Sequence, residues 1–265
     1  MLLSQNHAKT KLAAGELAIG LGVRQARTVD IAHIAKTCGF DWLFIDMEHS
    51  SIDVDSAAQI CAAALTAGVT PVVRVMGHES YHASRLLDAG AMGIVVPHVS
   101  TAVEAAHVAS VCRFPPAGRR SLPGLLPQTG FAAHPIADVV LAINEATLVV
   151  VMIETREGLE NVEAIAAVPG VDVLLLGCND LAAELGITGQ IGHARIGAAI
   201  DAVCAACVKH GKVAGLGGVY DDALMQAYIA KGPRFILSGS DLAFLMAGAR
   251  ARAAMLRAIR LNDVS

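Results

Sequence analysis

The chain has 265 residues, of which 54% are hydrophobic and 17% charged, and this composition excludes an intrinsically disordered protein. The formal net charge is −4, and no lysine or arginine cluster stands on a candidate face, so nucleic acid is not expected as a partner. The start of the chain lacks the basic and then apolar order of a signal peptide. The longest apolar runs are far shorter than the about 20 residues that cross a bilayer. We therefore expect a cytoplasmic protein with no membrane partner.

Short apolar runs rich in β-branched residues alternate along the chain with alanine-rich stretches of helical period. The runs predict eight strands, at about 16–22, 41–46, 71–75, 93–97, 147–154, 171–177, 212–217 and 234–239. The stretches between them predict helices near 28–38, 53–67, 80–89, 101–111, 157–167, 192–210, 221–231 and 241–261. Eight strands, each followed by a helix, indicate an α/β protein with one (β/α)₈ TIM barrel, a single domain over residues 1–265.

One region interrupts this alternation. Residues 113–135, RFPPAGRRSLPGLLPQTGFAAHP, are rich in proline and glycine. A loop of this length in a compact barrel is more often functional than idle. We therefore expect it to take part in the function of the protein.

Charged side chains follow several predicted strands at the point where each strand ends. Asp46, Glu48 and His49 follow the apolar run WLFI, and Arg74 lies near the end of the next strand. The carboxyl ends of barrel strands share one face, and that face carries the chemistry of barrel enzymes. We therefore expect these groups to meet at the barrel mouth.

Two further carboxylates, Glu154 and Asp180, follow the fifth and sixth predicted strands. Neighbouring strands lie about 4.8 Å apart, so both side chains can reach one point above the mouth. Carboxylates without thiols or a histidine cluster form an oxygen-rich site of the kind that Mg²⁺ or Mn²⁺ prefers. Each has a structural alternative, because Glu154 could cap the helix that starts near Arg156 and Asp180 could be an N-cap.

Six short motifs resemble the successive motifs of the HpcH/HpaI family of metal-dependent (class II) pyruvate aldolases. They are DWLFIDMEHSSID, PVVRV, LLDAGAMGIVVPHV, RFPPAGRRS, IETREGLEN and GCNDLAAELG, collinear from about residue 14 to residue 245. The family includes 4-hydroxy-2-oxoheptanedioate aldolase and 2-dehydro-3-deoxyglucarate aldolase. Any one motif is weak, whereas six in order and at matching spacing are specific, and the resemblance covers most of the chain.

The resemblance implies a metal site and a base. Glu154 and Asp180 match the family's ligands for a divalent ion, which would be Mg²⁺, Mn²⁺ or Co²⁺. His49 matches a catalytic histidine that pairs with an aspartate, which in this chain is Asp88. Asp46 matches a further acidic residue of the same site.

The resemblance also implies how the substrate is bound. Arg74 matches the arginine that contacts the oxo oxygen of the substrate. Gly177, Cys178 and Asn179 match the turn whose backbone N–H groups bind the substrate carboxylate, although cysteine departs from the residues usual after this glycine. Arg120 aligns with an arginine of the family's loop motif and is expected to bind substrate.

These residues together predict a divalent-metal-dependent aldolase. Such an enzyme reversibly cleaves a 4-hydroxy-2-oxo acid to an aldehyde and pyruvate, or a close 2-oxo acid such as hydroxypyruvate, through an enolate held by the ion. Arg74 would supply positive charge where the oxyanion grows, and His49 would act as the base. The lysines lie in the N-terminal tail, in predicted helices or at the start of a strand, so a Schiff-base route is not favoured.

Three alternative functions stay open. An oxaloacetate decarboxylase or an acyl-CoA lyase would use the same metal-enolate site, although a CoA lyase would want basic residues at the mouth beyond Arg119 and Arg120. The third is a non-catalytic 2-oxo acid binding protein. The combination of His49, Asp88 and Arg74 argues against it, because binding alone needs no base.

The segment after the last strand, DLAFLMAGARARAAMLRAIRL, predicts a helix with a wide apolar stripe. A stripe this wide suits burial against more than one surface, although packing on its own barrel is the alternative. The resemblance implies that subunits exchange this helix. We therefore expect a homo-oligomer, a hexamer built as a trimer of dimers. The stripe consists of Leu242, Leu245, Met246, Ala249, Ala253, Leu256 and Ile259, widened by Phe244 and Met255.

Overall fold

A computed structural model describes residues 2–260 of the chain. Within that range eight parallel strands form a closed barrel, in which each strand pairs with the next and the last pairs with the first. All eight predicted strands are confirmed, and the fold is the predicted (β/α)₈ barrel. The strands are β1 Ala18–Val23, β2 Trp42–Asp46, β3 Thr70–Arg74, β4 Gly93–Val96, β5 Leu148–Ile153, β6 Val173–Gly177, β7 Val213–Gly217 and β8 Phe235–Ser240.

Twelve α-helices occur within the described residues. One precedes the first strand, and the others lie in the segments that follow the strands. Across residues 2–260 no helix has both the length and the apolar character that crossing a bilayer requires. The helices are α1 His7–Ala13, α2 Asp30–Thr37, α3 Val54–Ala67, α4 Ser80–Asp88, α5 Ala102–Cys112, α6 Ile136–Ala146, α7 Arg156–Glu160, α8 Val162–Ala166, α9 Cys178–Glu184, α10 Ala194–His210, α11 Asp222–Ile229 and α12 Asp241–Arg257.

Large apolar side chains fill the barrel interior. The Trp42 indole stacks on the Phe235 ring with centroids 3.9 Å apart, and its N–H donates to the Ala18 carbonyl at 3.1 Å. Gly20 faces this stack, where any Cβ would collide with the indole, so no other residue fits. Leu12 of α1 joins the same cluster. The barrel is therefore a packed core, and space for chemistry remains only at its end.

The structure differs from the predicted helices in several places. The helix predicted at 157–167 is two short helices, α7 and α8, because the chain turns at Asn161, whose side chain donates to the Ser100 carbonyl at 2.9 Å. Helices α1, α6 and α9 were not predicted. The helix predicted at 241–261 ends at Arg257, and Leu261 lies outside the described residues.

Helix α12 leaves its apolar stripe uncovered in the single chain. None of its residues is buried, and Leu245 is 66% exposed. Beside it lies an apolar groove of about 620 Å³, lined among others by Ile31 and Ile34 of α2, Phe40 and Phe244. The expected alternative, in which α12 packs its stripe on its own barrel, is therefore wrong.

Candidate active site

The carboxyl ends of β2 and β3 carry a buried ion pair. Asp46 and Arg74 are register partners at the last positions of these strands. The Arg74 Nε donates to Asp46 Oδ1 at 3.0 Å and its Nη2 donates to Oδ2 at 2.7 Å. Burial alone would raise the pKa of Asp46, but hydrogen bonds and positive charge from Arg74 hold that pKa below its ordinary value. The pair is a rigid, charged support for the site.

Glu48 extends this network towards the centre of the mouth. Its Oε2 lies 2.8 Å from Arg74 Nη1, and its Oε1 lies 3.3 Å from His98 Nε2. The His49 Nε2 is 3.7 Å from Glu48 Oε2, and the His49 side chain is 51% exposed. His49 therefore keeps an accessible ring edge, which a base that meets substrate requires.

Glu154 is a deeply buried carboxylate, only 1% exposed. Its Oε1 accepts a hydrogen bond from the backbone N–H of His98 at 2.8 Å. Its Oε2 is buried and has no hydrogen-bond partner among residues 2–260. Burial raises the pKa of Glu154 and the Asp180 charge adds to this effect, against opposing contributions from His98 and Arg74. A buried carboxylate oxygen without a donor is well suited to a bound cation.

The turn after β6 brings Asp180 to the same place. Helix α9 starts at Cys178, directly after the strand, and Asp180 lies in its first turn. A Cβ on Gly177 would stand 2.5 Å from Glu154 Oε2, so a larger residue at this position would displace the Glu154 carboxylate. The structural alternatives for both carboxylates are wrong, because Thr155 is the N-cap of α7 and Gly177 is the N-cap of α9.

A cavity of about 140 Å³ opens at this end of the barrel, with Gly177 and Asp180 in its lining. Burial raises the pKa of the Cys178 thiol to about 12, so this cysteine is a protonated packing residue rather than a nucleophile. Most of the predicted site residues share this cavity. Those that line it are Asp46, His49, Arg74, Gly177, Cys178, Asn179 and Asp180.

The carboxylates fit a divalent cation that prefers oxygen ligands. Glu154 offers an unpaired oxygen, and Asp180 stands close enough for its charge to act on Glu154. In the part of the chain that the structure describes, no three His, Cys, Asp or Glu side chains gather closely enough to bind an ion alone. An ion on these two carboxylates would complete its coordination with water and substrate oxygens, as Mg²⁺ commonly does.

Three predicted site residues are absent from the cavity lining. Glu154 stands directly against Gly177 of that lining, whereas Asp88 and Arg120 lie apart from it. Asp88 is the last residue of α4, and its Oδ1 accepts a hydrogen bond from Arg120 Nη2 at 2.6 Å. The buried Arg120 guanidinium lies 4.3 Å from the Phe114 ring centroid. The predicted pair of Asp88 with His49 is therefore not formed within the chain. Asp88 belongs to the outer helical layer, and the loop at 113–135 supplies its counter-charge.

Three charged or titratable residues of the cavity and its network were given no role in the predicted site: Arg24, Glu48 and His98. Glu48 was expected at the barrel mouth and lies there. Arg24 directly follows β1, and its Nη2 donates to the His49 carbonyl at 2.8 Å. The available signal was a charged residue directly after an apolar strand, which Arg24 and Glu48 share with the predicted residues. The His98 ring lies between Glu48 and Glu154, with one ring nitrogen 3.3 Å from an oxygen of each carboxylate. Its backbone is left-handed (φ 54°), which the sequence pattern does not predict.

Three known proteins resemble this chain over nearly its whole length. The 4-hydroxy-4-methyl-2-oxoglutarate aldolase of Hapsidospora irregularis is 41% identical over 270 residues, which cover 99% of this chain and 98% of that protein. The hydroxypyruvate/pyruvate aldolase of Agrobacterium fabrum is 36% identical over 238 residues, which cover 90% and 88%. The crystal structure of an HpcH/HpaI aldolase from Desulfitobacterium hafniense matches with a TM-score of 0.91 and 28% identity, over 95% and 97% of the two chains.

An eight-stranded parallel barrel with carboxylates, an arginine and imidazoles at the carboxyl ends of its strands defines a barrel enzyme for a small anionic substrate. A sequence model of the HpcH/HpaI aldolase/citrate lyase family matches residues 24–247. The chain belongs to this family, and the predicted resemblance is confirmed. It is accordingly a carbon–carbon lyase.

Proposed function

We propose that this protein is a divalent-metal-dependent aldolase. It reversibly cleaves 4-hydroxy-2-oxo acids into pyruvate, or a close 2-oxo acid such as hydroxypyruvate, and a second carbonyl compound. The observation that carries the proposal is the buried, unpaired Oε2 of Glu154, which lies beside Gly177 and near Asp180. The aldolase names of the relatives support the same reaction class.

The half of the substrate that becomes pyruvate is bound by three groups. Glu154 and Asp180 would hold Mg²⁺, Mn²⁺ or Co²⁺, and the bound ion supplies a Lewis acid for the carbonyl of a 2-oxo acid. Arg74, fixed by Asp46, presents positive charge where the oxo oxygen becomes negative. The turn at Gly177 and the first residues of α9 bind the substrate carboxylate, because backbone N–H groups at a helix start have no partner within the helix.

His49 moves the proton. In the cleavage direction the bond between C3 and C4 breaks, and the 4-hydroxyl group gives its proton to His49 and becomes a carbonyl. The electron pair of the broken bond stays on C3, which takes up a proton and becomes the methyl group of pyruvate. The accessible edge of the His49 ring in the cavity supports this role.

Removal and restoration of the ion tests the proposal. We expect chelator-treated protein to lose pyruvate release from 4-hydroxy-2-oxo acids, and Mg²⁺, Mn²⁺ or Co²⁺ to restore it. The Asp180→Asn protein should bind no ion by calorimetry. An Asp201→Asn control, at an exposed ion pair with Lys231, should bind the ion as the wild type does. Full activity in the chelated protein would contradict the proposal.

We propose that the protein is a homo-oligomer, a hexamer built as a trimer of dimers that exchange α12. The uncovered stripe of α12 and the apolar groove beside it support this assembly. Light scattering should give the mass of six chains for the wild type and a smaller mass for Leu245→Glu. Val208→Glu, an equally drastic change at an exposed position of α10, should leave the mass unchanged. A monomeric wild type would contradict the proposal.

A further inference from the structure

Arg24 lines the cavity at the end of β1, and the proposed reaction assigns it no role. Arg24 follows β1, and its backbone N–H donates to Asp241 Oδ1 at 3.0 Å. The N–H groups of Gln25 and Ala26 donate to Asp241 Oδ2 at 2.9 Å and 2.7 Å. One carboxylate at the start of α12 therefore fixes the backbone from which the Arg24 side chain projects. These three hydrogen bonds hold the backbone of Arg24 at the barrel mouth.

The Arg24 guanidinium keeps binding capacity in the cavity. Its Nη2 donates to the His49 carbonyl at 2.8 Å, and its Nε lies 3.3 Å from Asp46 Oδ2. Both oxygens of Asp46 are already in shorter contact with Arg74, so this carboxylate faces two guanidinium groups. No hydrogen bond or ion pair within residues 2–260 involves the Arg24 Nη1, and the side chain is 42% exposed. Arg24 can therefore bind a further anion.

The surface beside Arg24 has room for a ligand. Gly22, Gly217, Gly218 and Gly239 line the cavity on the side formed by β1, β7 and β8. The glycines allow the chain to pack closely there, since a Cβ on Gly22 would stand 2.9 Å from the Gly239 carbonyl oxygen. The cavity of about 140 Å³ extends along this side. The second half of a bound substrate can occupy this space.

The two halves of a 4-hydroxy-2-oxo acid need different binding groups on the protein. The pyruvate half is bound by Arg74 and the turn at Gly177 in the proposed function, and no group of that half is bound by Arg24. A neutral aldehyde offers a guanidinium no charge. A carboxylate accepts charge-assisted hydrogen bonds from it in a defined geometry. Arg24 and His49 line the same cavity, and Arg24 bonds the His49 backbone. A carboxylate attached to C4, whose hydroxyl gives its proton to His49, is therefore the substrate group closest to Arg24.

We propose that Arg24 binds a carboxylate attached to C4 of the substrate, so that the second product of cleavage is itself a 2-oxo acid. The inference rests on the proposed aldolase function and names the class of its acceptor. In this reaction the C3–C4 bond breaks, the 4-hydroxyl group gives its proton to His49, and C3 takes up a proton. Both products then carry a carboxylate, one bound at the β6 turn and the other at Arg24.

The test compares two substrates that differ only at C4. In 4-hydroxy-4-methyl-2-oxoglutarate C4 bears a carboxylate, and in 4-hydroxy-2-oxovalerate a hydrogen stands in its place. For Arg24→Met we expect kcat/KM to fall about 100-fold on the first substrate, mainly through KM, because charge-assisted hydrogen bonds are lost. On the second substrate the loss should be at least about 10-fold smaller, because only the contacts of Arg24 with the His49 carbonyl and Asp46 are removed there. Arg24→Lys, which keeps the charge, should fall between the wild type and Arg24→Met on the first substrate.

Arg85→Met is the matched control. Arg85 is exposed on α4 and lies outside the cavity lining. It should leave both substrates unaffected. Equal losses on both substrates for Arg24→Met, or no loss on either, would overturn the inference while leaving the aldolase function intact. If the wild type cleaves neither substrate with the ion supplied, the proposed function fails and the inference fails with it. Arg24→Gln provides the same comparison of substrates should Arg24→Met fold poorly.

Discussion

The carboxylates on the two sides of the barrel rim differ in how many of their oxygens are hydrogen-bonded. On β2 and β3 the Asp46 carboxylate has both oxygens bonded by Arg74, and this lowers its pKa. On β5 the Glu154 carboxylate keeps one buried oxygen unpaired, and burial raises its pKa. Removing one partner of a buried, fully bonded ion pair destabilises the fold, and a buried charge that has no partner is destabilising in the same way. The first half is therefore a support for the site, and the second half is shaped for a ligand.

The largest effect should come from the unsaturated half. Glu154→Gln keeps the shape of the side chain but removes its charge, so ion binding and activity should both disappear, with a loss of more than about 1,000-fold in kcat/KM. In the ion-free protein the same change should raise the free energy of unfolding by roughly 1 kcal/mol, because it removes an unpaired buried charge. Calorimetry with Mn²⁺ and urea unfolding measure the two effects. An ion-free Glu154→Gln protein less stable than the wild type would contradict this view of Glu154.

His49 separates proton transfer from ion binding. It lies on the β2 side of the rim, half exposed, and contacts Glu48 only at 3.7 Å. His49→Ala should therefore leave the ion affinity unchanged and lower kcat by about 10²- to 10⁴-fold, the usual contribution of a general acid–base group. Calorimetry and steady-state kinetics on the same preparation check both points. His82→Ala, a histidine outside the cavity lining, is the control and should change neither. A coupled loss of ion and activity would place His49 among the ligands.

On the β2 and β3 side, neutralising a carboxylate should lower the free energy of unfolding rather than raise it. Asp46→Asn leaves the buried Arg74 guanidinium without its bidentate partner, so the free energy of unfolding should fall by about 3 kcal/mol. Asp201→Asn breaks an exposed ion pair and should cost less than about 1 kcal/mol. Urea unfolding at neutral pH measures both. Equal effects for the two substitutions would mean that the Asp46 pair is not a support.

The sequence was sufficient for the barrel and for most of the rim, and the reason is local. Each strand is a compact apolar run, and Asp46, Glu154 and Asp180 stand where such runs end. Helices α1 and α9 have seven residues each, which is too short for a helical period to be visible. Helix α9 also starts without a side-chain cap, so no N-terminal signal marks it.

The parts that could not be predicted depend on contacts distant in sequence. Asp88 and Arg120 are 32 residues apart, and only the folded loop at 113–135 shows that they pair. The contact of Arg24 with the backbone of His49 spans 25 residues and depends on the barrel register. Residue type and spacing identify which groups carry charge, but they do not say which of those charges are already neutralised.

The smallest expected effect is a difference between the wild type and Asp46→Asn in how the free energy of unfolding depends on pH. It follows from the pairing of Asp46 with Arg74. Positive charge and hydrogen bonds from Arg74 hold the pKa of Asp46 below its ordinary value in the folded protein, despite burial. A lowered folded-state pKa gives a stabilisation that is complete above the ordinary pKa of about 4 and is lost as the pH falls towards the folded-state value. Asp46→Asn has no such group to titrate.

The stability advantage of the wild type over Asp46→Asn should therefore be constant from pH 7 down to about 5 and shrink at lower pH. Urea unfolding of both proteins at closely spaced pH values, with chelator present so that ion binding does not contribute, measures this difference. Carboxylates far from Arg74 have the same surroundings in both proteins, so their contributions cancel from it. An advantage that stays constant to the lowest pH at which both proteins fold would show that Asp46 is not held ionised by Arg74. The contrast between the two halves of the rim would then rest on Glu154 alone.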